Sequence, residues 1–193
     1  SHRNDVRRQR RRLEQQGPLS LRTIANRERA VEELDSFFLM HRRKWQEEGD
    51  ARLLKDPLMR GPLKSFYQAL CEALAAEQLH FSALELSQRP ISYHFGFLCE
   101  GRLYWYRPTY DRSYENYSPS KVHVSMLLER GCTEGWTEFD FLLGAEEYKY
   151  RWTSEERLVH SLVFKGGRST TGLAAWWYGR GRAQAACYAR SCA

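Results

Sequence analysis

FSALELSQRPISYHFGFLCEGRLYWYRPTY, residues Phe81–Tyr110, is the stretch that decides the fold. It holds three runs rich in aromatic and β-branched residues: Phe81–Leu86, Ile91–Cys99 and Arg102–Tyr110. Gln88-Arg89-Pro90 separates the first two and Glu100-Gly101 the next two. Connections this short force antiparallel hairpins, so a three-strand meander is expected.

Upstream, the period is helical. Asn26 is a plausible N-cap for a helix running to Glu48, with Gly49 after its end. Val31, Leu34, Phe38 and Trp45 form its apolar stripe, flanked by Phe37 and His41. A second helix is expected over Leu63–Glu77, with Phe66, Leu70 and Leu74 on one face. Asp56-Pro57 and Gly61-Pro62 mark a loop between the two helices. Before them, Gly17-Pro18 precedes a short strand, Leu19–Ile24.

Downstream, the loop Asp111–Ser118 leads into a helix from Pro119 or Ser120 to Arg130, ended by Gly131. Strands are expected over Thr137–Leu143 and Arg157–Lys165, then a terminal helix over Thr171–Arg190. Its Trp176-Trp177-Tyr178 should pack on the core or a partner. The expected class is therefore α+β: an α/β sandwich with a mixed, mostly antiparallel central sheet flanked by helices. A helical crossover makes the Thr137–Leu143 strand parallel to Arg102–Tyr110. Such a pair splays where the chain departs, and ligands favour that opening at the helix N-terminus.

Composition narrows the function classes. At 193 residues the chain suits one domain, and 42% apolar with 13% aromatic residues can fill its core, which excludes wholesale disorder. No run approaches the roughly 20 apolar residues of a membrane-spanning helix. The five cysteines are odd in number and hold no C-x-x-C pair, which argues against a disulfide framework and a metal site. Free thiols suit a reducing, cytoplasmic compartment. Of the net +6, residues 1–16 carry +4 and residues 165–193 carry +5, leaving −3 for the middle. A nucleic-acid binder spreads positive charge over its folded face, so no specific nucleic-acid partner is expected. RRQRRR at Arg7–Arg12 could touch an anionic membrane surface or, without specificity, nucleic acid. Residues 1–16 are read as a basic arm beginning with a tag remnant, Ser1-His2, and residues 17–193 as the domain.

Three segments carry a resemblance: FFLMHRRKWQEEG (Phe37–Gly49), RLYWYRPTYDRSYENYSPSK (Arg102–Lys121) and EFDFLLGAEEYKYRW (Glu138–Trp152). With the order of elements, they resemble the GNAT (Gcn5-related N-acetyltransferase) superfamily. In particular they look like the CelD/BioF-type, or cellulose-biosynthesis-type, acetyltransferases, which are related to the Fem aminoacyl transferases. Proteins of that branch usually carry a further GNAT-like half in front, so this chain looks like a C-terminal half.

The resemblance implies acetyl-CoA or another acyl-CoA as cofactor, no metal, and a small-molecule or saccharide acceptor with a sugar or envelope connection. It places the cofactor at Tyr110, Tyr117, Ser118, Ser120, Lys121 and Val122. Ser120 departs from the small residue, commonly glycine, that the family keeps there. Lys149 is implied to assist transfer. Asp140 points away from the face of Phe139 and Phe141 and is a candidate base, as are Glu146, Glu147 and His94. Tyr148, Tyr117 and Tyr110 are candidate acids for the leaving thiolate. His41 and Trp45, four apart on one helix face, with His94 and Arg151, are candidate acceptor contacts. Extended backbone would turn Lys149 and Arg151 toward one groove. Two other activities fit the same residues: Fem-like tRNA-dependent aminoacyl transfer, and a non-catalytic GNAT-like binding module. The C-terminal apolar segment would serve oligomer contacts.

Overall fold

The computed structural model describes residues 1–48, 62–74, 77–160 and 183–190. The chain forms two compact units, one made chiefly of Ser1–Phe139 and the other of Asp140–Ala189.

The first unit is built on the meander. Strands β1 (Leu19–Thr23), β2 (Leu79–Leu86), β3 (Arg89–Cys99) and β4 (Arg102–Tyr110) lie side by side in chain order. Each neighbouring pair is antiparallel. The hairpin turns fall at Ser87-Gln88 and Glu100-Gly101, all four residues left-handed as two-residue turns of this twist require. A bulge between Phe95 and Phe97 shifts the β3–β4 register, and Gly96 sits within it. A Cβ there would lie 2.3 Å from the Tyr104 carbonyl oxygen, so only glycine fits.

Helices α2 (Arg27–Glu48) and α3 (Pro62–Ala73) cover one face of this sheet. Asn26 caps α2 as expected, its Oδ1 accepting the Arg29 N–H at 3.1 Å. Phe37 is the hub, its ring within 5.2–6.3 Å of Phe38, Phe81, Tyr67, Tyr93 and Phe95. On α3 the buried ridge is Tyr67 and Cys71, while Phe66, expected in the core, is 49% exposed. Leu70 and Leu74 of the expected face do pack on the core, and Tyr67, which lies against Phe95 at 4.7 Å, takes the place expected for Phe66.

The opposite face carries α4 (Pro119–Glu134) and α1 (His2–Glu14). The segment expected as a basic arm is a helix whose Val6 and Leu13 are buried, Leu13 against Leu84, Leu86, Ile91 and Val122. Arg10 pairs with Glu129 of α4 at 2.8 Å. Helix α4 runs past Gly131 and ends at left-handed Gly135. Gly131 is small because the Trp136 ring lies where its Cβ would be, 2.7 Å away, and not because the helix stops there. The chain then enters β5 (Glu138–Leu143), where the Thr137 N–H donates to the Gly101 carbonyl at 2.7 Å.

The second unit contains a one-turn helix, α5 (Glu147–Tyr150), and strands β6 (Glu156–His160) and β7 (Ala183–Arg190), paired antiparallel with Glu156 opposite Cys187. The terminal helix expected over 171–190 is therefore a strand from 183 onward. Residues 171–182, with Trp176 and Trp177, lie outside the described residues. The sheet is mixed, mostly antiparallel and flanked by helices, as the sequence led us to expect. Among the described residues no helix is long and apolar enough to cross a membrane.

Candidate active site

The passage from β4 to α4 is a tightly wound turn. Asp111 Oδ1 accepts from the Ser113 N–H at 3.0 Å and its hydroxyl at 2.6 Å, opening a short 3-10 helix, Arg112–Tyr117. Ser118 then adopts a left-handed conformation (φ 49°, ψ 56°), and Pro119 starts α4. The Ser118 carbonyl accepts from Lys121 N–H at 2.9 Å and Val122 N–H at 3.3 Å. The Ser118 side chain makes no cap bond. Pro119 has no N–H, and the Ser120 N–H has no bond among the described residues. An open amide at a helix start is an anion-binding element.

The neighbouring segments carry cations. Lys121 Nζ lies 3.2 Å from Asp5 Oδ2, and Asp5 also holds Arg8 at 2.7 Å. The Lys121 hydrogen bond leads in holding the Asp5 carboxyl below its ordinary range, with Arg8 assisting and burial opposing. The Arg12 guanidinium lies 4.7 Å over the Tyr117 ring and donates to the Asn116 carbonyl at 2.9 Å. Tyr110 donates to Glu115 Oε1 at 3.4 Å. Val122, expected against the cofactor, is fully buried in the cluster with Leu13, Leu84 and Ile91, so its side chain cannot touch a ligand.

Beside this turn, in the same unit, is a groove of about 700 Å³ between α2, the β2–β3 hairpin and the end of β4. Tyr110, Asp111, Arg112 and Ser113 form one of its walls, so groove and turn share that segment. Its floor is ionic. Arg22 donates to Glu85 Oε1 at 2.6 Å and to Glu33 Oε1 at 3.2 Å, and the Tyr93 hydroxyl also donates to Glu33 Oε1. Burial first, then the Glu33 carboxylate, push the Tyr93 hydroxyl well above the ordinary range. Arg43, Lys44 and Arg89 complete the cationic part of the lining. Lys44 Nζ sits 4.5 Å over both the Tyr110 and Trp45 rings. Sequence reading missed Arg22, Glu33, Glu85 and Arg43. The signal was available in part: Arg22 and Glu85 fall on strand positions that face α2, where apolar residues would be the rule.

Three of the expected acceptor contacts lie elsewhere. His41 is 2% exposed, its ring 6.0 Å from Phe37, and it accepts from Trp45 Nε1 at 2.9 Å. Trp45 is half-buried against it. His94 is fully buried on the α4 face, stacked on Trp105 at 4.2 Å, with Nε2 at 3.2 Å from both the Tyr106 N–H and the Tyr104 carbonyl. Burial, with His80 and His123 nearby, pushes its pKa well below the ordinary value. Both histidines are buried groups: Phe37 and Trp45 of its own helix lie against His41, and Trp105 of the neighbouring strand covers His94.

The second unit holds the remaining candidates. Asp140 is buried, accepts from the Leu142 N–H at 2.7 Å and faces Arg157 at 3.6 Å. Lys149, expected in a groove, is 2% exposed. Its ammonium donates to the carbonyls of Leu142, Leu143 and Gly144 at 3.2, 2.9 and 3.2 Å, and pairs with Glu146 at 2.8 Å. Left-handed Leu142 and Gly144 turn these carbonyls onto it. The cause of the difference is α5: one helical turn sends Lys149 inward and Arg151 outward to Glu147 at 3.0 Å. Tyr148 is 42% exposed, its ring edge-on to Phe141 at 6.4 Å. Asp140 and Lys149 thus hold the loop after β5.

No curated protein matches the sequence. Among solved structures, the PaiA N-acetyltransferase from Thermoplasma acidophilum in complex with coenzyme A is similar, with a TM-score of 0.51 and 10% identity, over 90% of this chain and 99% of that one. The ribosomal-protein-S18-alanine N-acetyltransferase from Escherichia coli matches at a TM-score of 0.42 and 10% identity, over 66% of this chain and 78% of that one. The family model described as acetyltransferase (GNAT) domain matches residues 1–150, α1 included, and the chain belongs to that family.

Proposed function

We propose that the chain is an acyl-CoA-dependent N-acetyltransferase acting on a polar acceptor in the cytoplasm. The observation that carries this reading is the unbonded Ser120 N–H at the start of α4, opened by left-handed Ser118 and Pro119 and flanked by Lys121. A free amide and an ammonium at a helix N-terminus fit a diphosphate. Acyl-CoA, when bound, supplies an acyl carbon activated as a thioester. Ser118, Ser120 and Lys121 would hold its diphosphate, with Tyr110 and Tyr117 on the flank. The EFDFLLGAEEYKYRW segment supports the finer placement: the CelD/BioF-type branch, with its Fem relation and a saccharide or envelope acceptor.

Two observations favour a second reading, a GNAT-shaped binding module without catalysis. Serine stands in the glycine place, and Asp5 occupies the Lys121 ammonium at 3.2 Å. Calorimetry with acetyl-CoA and CoA separates the two. We expect binding by both, weakened at least tenfold in Lys121→Ala, the order of a charge-assisted contact. At 100 times its dissociation constant the ligand should add about 2.7 kcal/mol of apparent stability. Folded protein giving no heat with either compound would leave the binding module.

A further inference from the structure

We propose that the α2 groove is the acceptor pocket and takes a small zwitterion: a primary amine that also carries a phosphate or carboxylate. This rests on the acyltransferase reading above. The floor sets the amine. Glu33 and Glu85 share one guanidinium, and each spends only Oε1, on Arg22 and, for Glu33, Tyr93 as well. Neither Oε2 has a hydrogen bond among the described residues. Two carboxylates against one cation leave a net negative charge at a place where Glu85 is only 9% exposed. A nearly buried charge is costly unless a partner compensates it. An ammonium group supplies both the charge and the N–H donors that two open carboxylate oxygens lack.

The rim sets the other end. Arg43 is exposed beside the groove and has no ion pair among the described residues, and Arg89 and Arg112 stand on the facing wall. The groove as a whole carries five cations and three acids, the acids Glu33 and Glu85 at the bottom. A ligand with one charge type would be repelled at one end. One with an amine inward and an anion outward is matched at both. At about 700 Å³ the groove has room for a body between the two charges the size of a dipeptide or larger. Its apolar lining is small, Leu39, Met40 and Pro90, which disfavours a hydrophobic acceptor.

Calorimetry on the whole chain with two probes tests this: O-phosphoethanolamine and the dipeptide glycyl-aspartate, each against its N-acetyl form. The free amines should bind at least tenfold more tightly than the acetylated ones. Glu85→Gln should erase that difference. Arg43→Ala, an exposed rim change that leaves the floor intact, should weaken both free amines several-fold, and which probe binds more tightly assigns phosphate or carboxylate. Equal binding of free and acetylated probes, or no binding by protein that does bind acetyl-CoA, overturns the pocket and leaves the acyltransferase reading standing. Amine-selective binding by protein that ignores acetyl-CoA does the reverse.

Discussion

The two faces of the first unit's sheet are both covered by helices and chemically unlike. Under α2 and α3 the strands present Phe81, Tyr93 and Phe95 to Phe37 and Tyr67, a cluster of rings bordered by the ionic groove floor. Under α1 and α4 they present His80, Ser82, Ser92 and His94, which meet His123 and Trp105. The first face is stabilised by apolar burial and ring contacts. The second depends on neutral imidazoles staying neutral. Burial leads in lowering His80 to about 4 and His123 to about 3, with Arg130 adding repulsion to both, and His94 is lowered too. A mutation should reach the first face, and a proton the second.

Phe37→Ala gives the largest single effect expected, about 3–5 kcal/mol lost, because the hole is ringed by aromatic side chains that cannot collapse into it. Urea unfolding measures it, and a loss under 1 kcal/mol would mean that Phe37 is not the hub. Acid should act on the other face. An unfolded histidine takes up its proton near pH 6.5, whereas these three, folded, resist until far lower pH. Stability is therefore present above pH 6.5 and falls as pH drops below it. Between pH 7.5 and 5.5 the loss is about 1.4 kcal/mol per histidine, about 4 kcal/mol for three. Unfolding free energies that stay flat across that interval would show the histidine face to be hydrated and already charged.

Why one face was legible and the other was not follows from the distance over which each is specified. Phe81, Tyr93 and Phe95 alternate along their strands, and the short Ser87-Gln88 and Glu100-Gly101 turns fix their pairing, so the meander could be read locally. His94 alternates in the same manner, and nothing nearby in sequence shows that Trp105 covers it. That depends on the Gly96 bulge and on pairing with β4. His41 misled differently: Phe37 and Trp45, the rings against it, sit four residues away on its own helix. Lys149 was read from a strand period, but the local backbone turns helical, and its partners are carbonyls, which no side-chain pattern announces. The open start of α4 was visible in Ser118-Pro119-Ser120. The groove was not, since Arg22, Glu33 and Glu85 come from three elements.

Gly96→Ala sits between the two faces and sharpens their contrast. The added Cβ meets His94 Nε2 at 2.3 Å as well as the Tyr104 carbonyl oxygen, a backbone atom that cannot swing away. Overpacking of this kind costs about 1–3 kcal/mol. The strain should appear on the histidine face: the His94 ring resonances should shift while those of Phe37 hold. Movement of both sets together would mean that the faces are coupled through the bulge.

Ser92→Ala is the smallest change and the most specific. The Ser92 hydroxyl has one proton, and it goes to the Thr109 carbonyl at 2.9 Å. Its contact with His123 Nδ1 at 3.1 Å must then be donated by the ring. His123 therefore carries its proton on Nδ1, and Nε2 accepts from Ser82 at 3.0 Å. Removing the Ser92 oxygen strands a buried N–H, at about 1–2 kcal/mol. It also removes the acceptor that selects the tautomer. Nitrogen chemical shifts should show the Nδ1–H form in the parent and a mixture in the variant, and an Nε2–H form in the parent would break the assignment. Since Ser82 offers Nε2 a hydroxyl that can either donate or accept, Ser82→Ala should cost no more than Ser92→Ala, and this ordering can be tested without knowing either absolute value.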